Sequence, residues 1–517
     1  MGELTNAEGL MWSEVWYMAP EALLGVCFLI LVVAELFLPK SRGASMIGGA
    51  ALASLIAAFG LVIWQMTDRM GSGNGDEVVS LLGDSYRIDD YGSLVKLLLL
   101  AGTILVALLG MGSIHRDHEL PGKGEFYYLL LPAAIGGMMM ASSANLVTLY
   151  IGLELLSITT YVLVALRKRS VLSSEAAFKY VVTGGVSSAF ILYGISYIYG
   201  VTGSLQLSVI ADALPAALEH YEALLYVGFG CMLIGFAVKI AAAPFHVWAP
   251  DVYQGAPTPI SAFLAVVSKG AALAVVLRIM FAVVLYGGGG SGLQDDLFFG
   301  LKLLGAIAML VGSVAALKQM NAKRMLALSG VANAGYLLVP ISLSITVVHS
   351  NNVSELIFYL AAYLLMTIGA FGVLTVVSRA EGHDELRGFA GMYYRAPWTA
   401  AAMTVLVLSL AGLPVSAGFF GKLFILLGAA NAKAYWLVAV MVVSSVISYY
   451  FYFGILRQMF MRSEGAGGHK LMVPVPIGIV IWFCVAATLA LGLFPGLLLD
   501  PINQVFSFAG DLMNLAG

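Results

Sequence analysis

The sequence predicts an all-α integral membrane protein of about fourteen membrane-spanning helices, two of them discontinuous. Three observations predict it. The 517 residues have a mean hydropathy of +0.93, with 60% hydrophobic and 11% charged residues. A water-soluble domain carries about a quarter charged residues, so water cannot be the only solvent of this chain. The apolar residues also gather in blocks of ~20, the helical length that crosses ~30 Å of hydrocarbon. Finally, basic residues concentrate in alternate loops between those blocks.

In chain order the blocks cover 20–38, 43–66, 91–113, 126–141, 143–166, 173–200, 222–243, 257–285, 296–316, 323–346, 354–378, 397–428, 434–461 and 473–496. The first follows an acidic start (Glu3, Glu8, Glu14) and runs into Pro39 and Lys40 without a small-residue cleavage site. It therefore reads as a membrane helix rather than a cleaved leader. The fourth is short and rich in Gly and Met (Gly136 to Met140). The seventh runs into Pro244 and the twelfth contains Pro414, so both should be broken, because proline removes a helix hydrogen bond. Lying five segments apart, the two interrupted helices suggest an internal repeat.

With the N-terminus outside, the cytoplasmic loops receive Lys40, Arg42, Arg116, Lys123, Arg167, Lys168, Arg169, Lys318, Lys323, Arg324, Arg379, Arg387, Arg395, Arg457, Arg462 and Lys470. The opposite loops keep Arg69, Arg87 and Lys433, beside Asp76, Glu77, Asp84, Asp295 and Asp296. This asymmetry follows the positive-inside rule and places both termini on the outer side. On this reading Lys318, Lys323 and Arg324 set topology, and Glu175 with Lys179 forms an ordinary i,i+4 helix pair.

A net charge of −3 argues against nucleic acid as a partner. Cys27, Cys231 and Cys484 stand alone in apolar stretches, which rules out an iron–sulfur or structural zinc site built from this chain by itself. Without a Gly-rich nucleotide loop after a strand-like segment, any redox chemistry belongs to another subunit.

The seven basic residues not assigned to loops all fall inside the apolar blocks: Lys96, Lys179, Lys239, Lys269, Arg278, Lys302 and Lys422. Glu154 joins them. Lys96 and Lys302 lie near helix ends, where a long stem can snorkel to the interface, and Arg278 can do likewise. Glu154, Lys239, Lys269 and Lys422 lie too deep for that. Glu154 is near the midplane of its helix; burial alone favours a neutral carboxyl, and a nearby cation reverses the preference. Lys239 comes five residues before Pro244, Lys269 about a dozen past Pro257, and Lys422 just after Pro414 and Gly418. Freed carbonyls and half-helix ends at such breaks offer polar groups at membrane depth.

Ionisable groups inside a membrane are functional hypotheses by default, and these can pass protons by alternating protonation states. Each also has a plainer reading: a neutral Glu bonded within a bundle, or a Lys at a normal helix end. His246, beside the first break, suits a proton shuttle with an unperturbed pKa of about 6.5, or a hydrogen-bonded structural role. His115, His118, His220, His349, His383 and His469 belong to loops. Tyr449, Tyr450, Tyr452 and Trp482 read as packing or interface anchors.

The segment Pro244-Phe-His-Val-Trp-Ala-Pro-Asp-Val-Tyr-Gln-Gly-Ala-Pro-Thr258, with Lys239 before it and Lys269 after, closely resembles the subunit N family of proton-pumping NADH–quinone oxidoreductases (respiratory complex I). Further similar stretches are Gly152-Leu-Glu154-Leu-Leu-Ser157, Asn321-Ala-Lys-Arg-Met-Leu-Ala-Leu-Ser-Gly-Val-Ala-Asn-Ala-Gly-Tyr336 and Leu410-Ala-Gly-Leu-Pro-Val-Ser-Ala-Gly-Phe-Phe-Gly-Lys422. Subunits L and M and the multisubunit sodium/proton antiporters share the fold but differ after that Pro-Asp.

The resemblance implies a three-helix N-terminal segment over 1–125, two inverted five-helix repeats at about 126–285 and 296–461, and a last helix with a short tail over 473–517. By position, Glu154 and Lys239 match the family's ion pair, Lys269 its central lysine, Lys422 the lysine of its second broken helix, and His246 the histidine beside the first break. The implied function is proton translocation driven by electron transfer in other subunits. Those subunits would hold NADH, FMN, the iron–sulfur clusters and quinone, and this chain would hold no cofactor and no metal. The implied partners are subunits resembling M and L and those of the quinone chamber. The implied setting is a bacterial plasma membrane. The rival readings are a subunit of a cation/proton antiporter and a membrane scaffold whose buried charges only hold helices together.

Overall fold

The computed structural model describes residues 16–38, 43–71, 78–117, 119–344, 351–461, 471–506 and 511. Glu3, Glu8, Glu14, Lys40, Arg42, Asp76, Glu77, His118, His349, Arg462, His469 and Lys470 lie outside them. Among the described residues, twelve helices are long and apolar enough to cross a membrane. We number the helices α1 (Ala19–Phe37), α2 (Gly43–Gly71), α3 (Asp90–Ser113), α4 (Lys123–Ala141), α5 (Leu146–Val164), α6 (Val171–Thr202), α7 (Leu207–Ile240) and α8 (Trp248–Gly255). Then come α9 (Thr258–Leu285), α10 (Gly292–Ala316), α11 (Ala322–Ile341), α12 (Asn352–Glu381), α13 (Pro397–Ala411), α14 (Ala417–Asn431), α15 (Tyr435–Phe460), α16 (Val475–Leu493) and α17 (Gly496–Val505). A small antiparallel hairpin, β1 (Val79–Leu81) with β2 (Tyr86–Ile88), precedes α3.

Helix starts are written in polar residues. Asp89, Asn145, Ser291, Asn321, Asn351 and Ser416 each cap a helix, the side-chain oxygen accepting a backbone N–H of the first turn. The seventh span is longer than hydropathy suggests, because α7 begins at Leu207 and kinks at Tyr221. Asp212, Pro215, Glu219 and His220 depress the hydropathy of that first part. Leu207, Ile210, Leu214 and Ala217 still recur at helical spacing on its buried side.

The centre is built from α9, α11 and α12, whose side chains are buried nearly throughout, and the other helices ring them. Two helix pairs close on glycine. A methyl at Gly136 of α4 would stand 2.7 Å from the Gly152 carbonyl of α5, and one at Gly335 of α11 would stand 2.6 Å from the Gly305 carbonyl of α10. Backbones meet this closely only where side chains vanish, and in lipid such packing does much of what hydrophobic burial does in water.

Both expected breaks are present. After α7 the chain turns through Ala241, in the left-handed region at φ 58°, and re-enters a helix at Trp248. After α13 it turns through Gly412 (φ 86°) and Val415 (φ 73°) before α14. An L-residue in that region costs ~1–2 kcal/mol; Ala241 lies two residues after Lys239 and Val415 seven residues before Lys422. The basic loops gather at one end of the bundle, joined by Arg167–Asp117 (2.8 Å) and Lys323–Asp384 (3.0 Å). We call that end the basic face.

Candidate functional site

Lys239 sits in the last turn of α7, just before the break. Its ammonium donates to Ser157 Oγ (2.8 Å) and Tyr161 Oη (3.3 Å) of α5. The carbonyl of Val238, beside the break, accepts from Trp248 Nε1 (2.9 Å) as well as from the Ala241 N–H (3.0 Å). Trp248 stacks on Tyr180 at 4.8 Å, and Tyr180 meets Tyr161 edge-on at 4.7 Å. Glu154, one turn before Ser157, is half-buried, and its Oε1 has no hydrogen-bond partner. It is close enough to act on the charge of Lys239, yet Ser157 and Tyr161 are the groups the lysine touches.

Lys269 lies midway along α9, directly after a π-helical turn, Leu264–Ser268. It is 2% exposed and its ammonium has no hydrogen-bond partner. The Tyr253 ring lies 5.9 Å away. Gly330 of α11 makes the room on the other side: a methyl there would stand 3.1 Å from Lys269 Nζ and 2.9 Å from Tyr363 Oη. Even on the mildest scale an ammonium at membrane centre costs ~2.5–3.5 kcal/mol. Among the described residues no hydrogen bond offsets that cost, and the Tyr253 ring returns only ~0.5–2 kcal/mol of cation–π attraction, so a scaffold role is the weaker explanation. π-bulges are in turn frequent at functional sites.

Lys422 sits on the far side of the second break and reaches back across it. It donates to the carbonyls of Leu410 (2.9 Å) and Ala411 (3.2 Å), the last of α13. A half-helix C-terminus carries partial negative charge, so it holds a cation without a carboxylate. The Tyr336 ring is 5.1 Å from the ammonium.

Between Lys269 and Lys422 runs a buried polar seam that the sequence reading missed. Tyr359 Oη donates to Asn333 Oδ1 (2.6 Å), and Asn333 Nδ2 donates to the Ser329 carbonyl (2.9 Å). Ser329 bonds Tyr452, and Tyr336 meets Tyr359 edge-on at 6.4 Å. Tyr452, read as an anchor, is therefore part of the seam. The available signal was spacing: Tyr359, Tyr363 and Thr367 recur every four residues along the middle of α12, whose other residues from Leu356 to Leu374 are apolar or glycine.

His246 is half-buried in the turn between α7 and α8, near enough to Lys269 to feel its charge. The cations flanking α8 do more than set topology. Lys323 is fully buried, donating to Ala256 O (3.0 Å) and pairing with Asp384 (3.0 Å). Lys179 pairs with Glu175 (2.7 Å) as expected, and also with Asp251 of α8 (2.6 Å), which Arg324 holds from α11. Lys96 and Arg278 do not snorkel: each is 2% exposed. Lys96 pairs with Glu21 (2.8 Å), and Arg278 grips Asp89 through two bonds of 2.6 and 2.9 Å. Each of these acids lies at a helix start facing its partner, a placement that loop-by-loop charge counting cannot reveal.

Two broken helices, each with a lysine at its break, and a third lysine in the seam between them define a transporter-like membrane protein built to move small cations. The chain belongs to the NADH:quinone oxidoreductase/Mrp antiporter transmembrane family, whose model matches residues 143–448. It is 61% identical to the NADH-quinone oxidoreductase subunit N of Paenibacillus sp. (strain JDR-2), over 98% of this chain and 99% of that one. Among solved structures it is similar to a chain of respiratory complex I from Thermus thermophilus with bound aureothin, at 32% identity, 93% and 98% coverage and a TM-score of 0.75. A chain of the Mrp complex from Dietzia sp. DQ12-45-1b shares the fold, with a TM-score of 0.80, 96% and 97% coverage and 19% identity.

Proposed function

We propose that this chain is a proton-translocating membrane-arm subunit of an NADH–quinone oxidoreductase, moving protons along Lys239, Lys269 and Lys422 while electrons run in other subunits. The observation that carries this reading is the seam itself. Lys269 stands unpartnered at membrane depth, and a polar path leads from it to Lys422. Near-full-length identity to a subunit of that enzyme supports the redox setting.

The basic face is the cytoplasmic side and both termini face outward, in a bacterial plasma membrane. FMN, iron–sulfur clusters and quinone belong to partner subunits, and the neighbours in the membrane resemble subunits M and L. The two inverted five-helix repeats cover about 126–285 and 296–461. The glycine contacts Gly136–Gly152 and Gly305–Gly335 favour them, joining the first two helices of each. So do the left-handed residues Ala241 and Val415 at the two breaks.

Protons reach the row from the cytoplasm, cross Lys269 and leave through Lys422. Glu154 biases the charge on Lys239 through the Ser157–Tyr161 shelf, and His246 serves the first break. Lys239→Ala should lower proton pumping per NADH oxidised in inside-out vesicles; normal pumping would remove Lys239 from the row. Glu154→Gln should be milder, since it takes away only a charge that Lys239 does not touch. The Mrp-type fold match favours one second reading, a cation/proton antiporter subunit. Co-purification with iron–sulfur subunits decides for the first, and sodium-dependent exchange without an electron donor decides for the second.

A further inference from the structure

A cavity of about 460 Å³ opens at the basic face, where the ends of α3 and α12 meet the α8–α9 linker. Asp117, Arg167, Thr258, Thr375, His383 and Asp384 stand in its wall. Its rim is built rather than incidental. Arg167 holds Asp117 at 2.8 Å, and Arg379 Nη1 donates to the Gly112 carbonyl at 2.6 Å. Lys323, pinned to Asp384, binds the Ala256 carbonyl that ends α8. These bonds fix the mouth of the cavity to the broken helix.

Below the rim, α12 carries Thr375, Phe371, Thr367 and Tyr363 at four-residue spacing, so they stand on one face, ~6 Å apart per step. Thr375 is in the cavity wall, and Tyr363 shares the Gly330 gap with Lys269. Phe371 interrupts this polar line and lies 6.4 Å, ring to ring, from Tyr253 of α8. The Tyr253 hydroxyl is buried without a hydrogen-bond partner, and its ring is the one beside Lys269. The order from the face inward is therefore polar cavity, aromatic constriction, unpartnered hydroxyl, unpartnered ammonium.

We propose that this cavity is the aqueous reservoir that loads Lys269 directly, with the Tyr253–Phe371 pair as the constriction between water and lysine. A hydronium in the cavity gives up one O–H proton, which passes Tyr253 and binds the neutral Lys269 amine, and a water remains behind. No electrons move. This entry is separate from the one at Lys239, whose own contacts lead to Ser157 and Tyr161 and not to this cavity. The inference rests on Lys269 being a carrier.

The test uses the whole enzyme in inside-out vesicles, with Cys27→Ser, Cys231→Ser and Cys484→Ala as background. Thr258→Cys, Thr375→Cys and Thr367→Cys are added singly and treated with a cationic methanethiosulfonate, a reagent that reacts only where water reaches. Thr258→Cys and Thr375→Cys should react from the basic face, and each labelled enzyme should lose most of the pumping that the same preparation showed before labelling. Thr367→Cys should stay unreactive until Phe371→Ala is added. The proposal is overturned if Thr375→Cys does not react, or if it is fully labelled and pumps as before. Should Thr375→Cys fail to assemble, Ser378→Cys, in the same wall, takes its place. Lys269→Ala separates the two ideas. If that variant pumps normally, the lysine row itself fails. If it stops pumping while labelled Thr375→Cys does not, only the reservoir fails.

Discussion

Lys422 donates to the Leu410 carbonyl at 2.9 Å, so the cation of one half-helix closes the open end of the other. Lys239 behaves differently at the first break, where Trp248 bonds the Val238 carbonyl at the helix end and the lysine turns to α5. The two lysines thus occupy related breaks with unlike partners: one is held by backbone dipoles, the other by hydroxyls. Lys422→Met should leave those dipoles unmet and abolish transfer beyond the seam. Protons pumped per NADH oxidised should fall sharply while the complex remains intact on a native gel. Unchanged pumping would take Lys422 out of the path.

Gly412 holds the same turn at φ 86°, and a methyl there would stand 3.1 Å from Lys422 Cδ. Gly412→Ala combines an unfavourable backbone with pressure on the lysine stem, and should destabilise by about 1 kcal/mol or more. Thermal unfolding of the purified complex gives the first effect and the pumping ratio the second. A stability loss with full pumping would show that the position of the lysine stem is immaterial.

Gly330 makes a narrower test, because its φ is ordinary and space alone is at stake. Gly330→Ala puts a methyl 3.1 Å from Lys269 Nζ and 2.9 Å from Tyr363 Oη, within the gap a proton would cross. Overpacking of this kind costs ~1–3 kcal/mol, and here the lysine or the tyrosine must give way. Pumping should drop, and Tyr363→Phe, which removes the hydroxyl without adding bulk, should lower it too. If both variants pump normally, protons leave Lys269 by another side.

The deep charges were legible because hydropathy makes any lysine at mid-span conspicuous. Lys239, Lys269, Lys422 and Glu154 all stand within the helices where the sequence put them, and both breaks fall at their prolines. The seam was not legible. Ser329, Asn333, Tyr336 and Tyr359 are uncharged, and each is an unremarkable residue until α11 and α12 are laid together. The outer cluster failed for another reason. Lys96 and Arg278 look like snorkelling residues when only their own helix is considered, and their partners Glu21 and Asp89 come from elements far away in the chain. Pairing across helices is a tertiary fact, and charge counting by loop assigns each residue to water.

The Arg278–Asp89 grip joins the start of α3 to the far part of α9 and also binds the Ala141 carbonyl that ends α4, at 2.8 Å. Such a pair gains little over a well-packed apolar substitute, but breaking it strands a buried charge at a cost of ~3–5 kcal/mol. Asp89→Asn should therefore weaken assembly, read as less intact complex per unit of membrane, while surviving complexes keep their pumping ratio. A normal yield with lost pumping would instead place the pair in the proton path.

Asp384 offers a pH test at the basic face, outside the spans. Burial alone pushes its carboxyl up, but the charge of Lys323 at 3.0 Å, helped by that of Arg167, outweighs that and holds it below the usual aspartate range. A carboxyl lowered by folding contributes stability that is complete above its unfolded value of about 3.9 and fades as pH falls through the folded value. Asp384→Asn should thus melt earlier than the natural protein by the same margin at neutral and mildly acidic pH. The margin should close only below about pH 4. A margin that already closes between about pH 7 and 6, well above the carboxylate range, would release Asp384 from the clamp on Lys323.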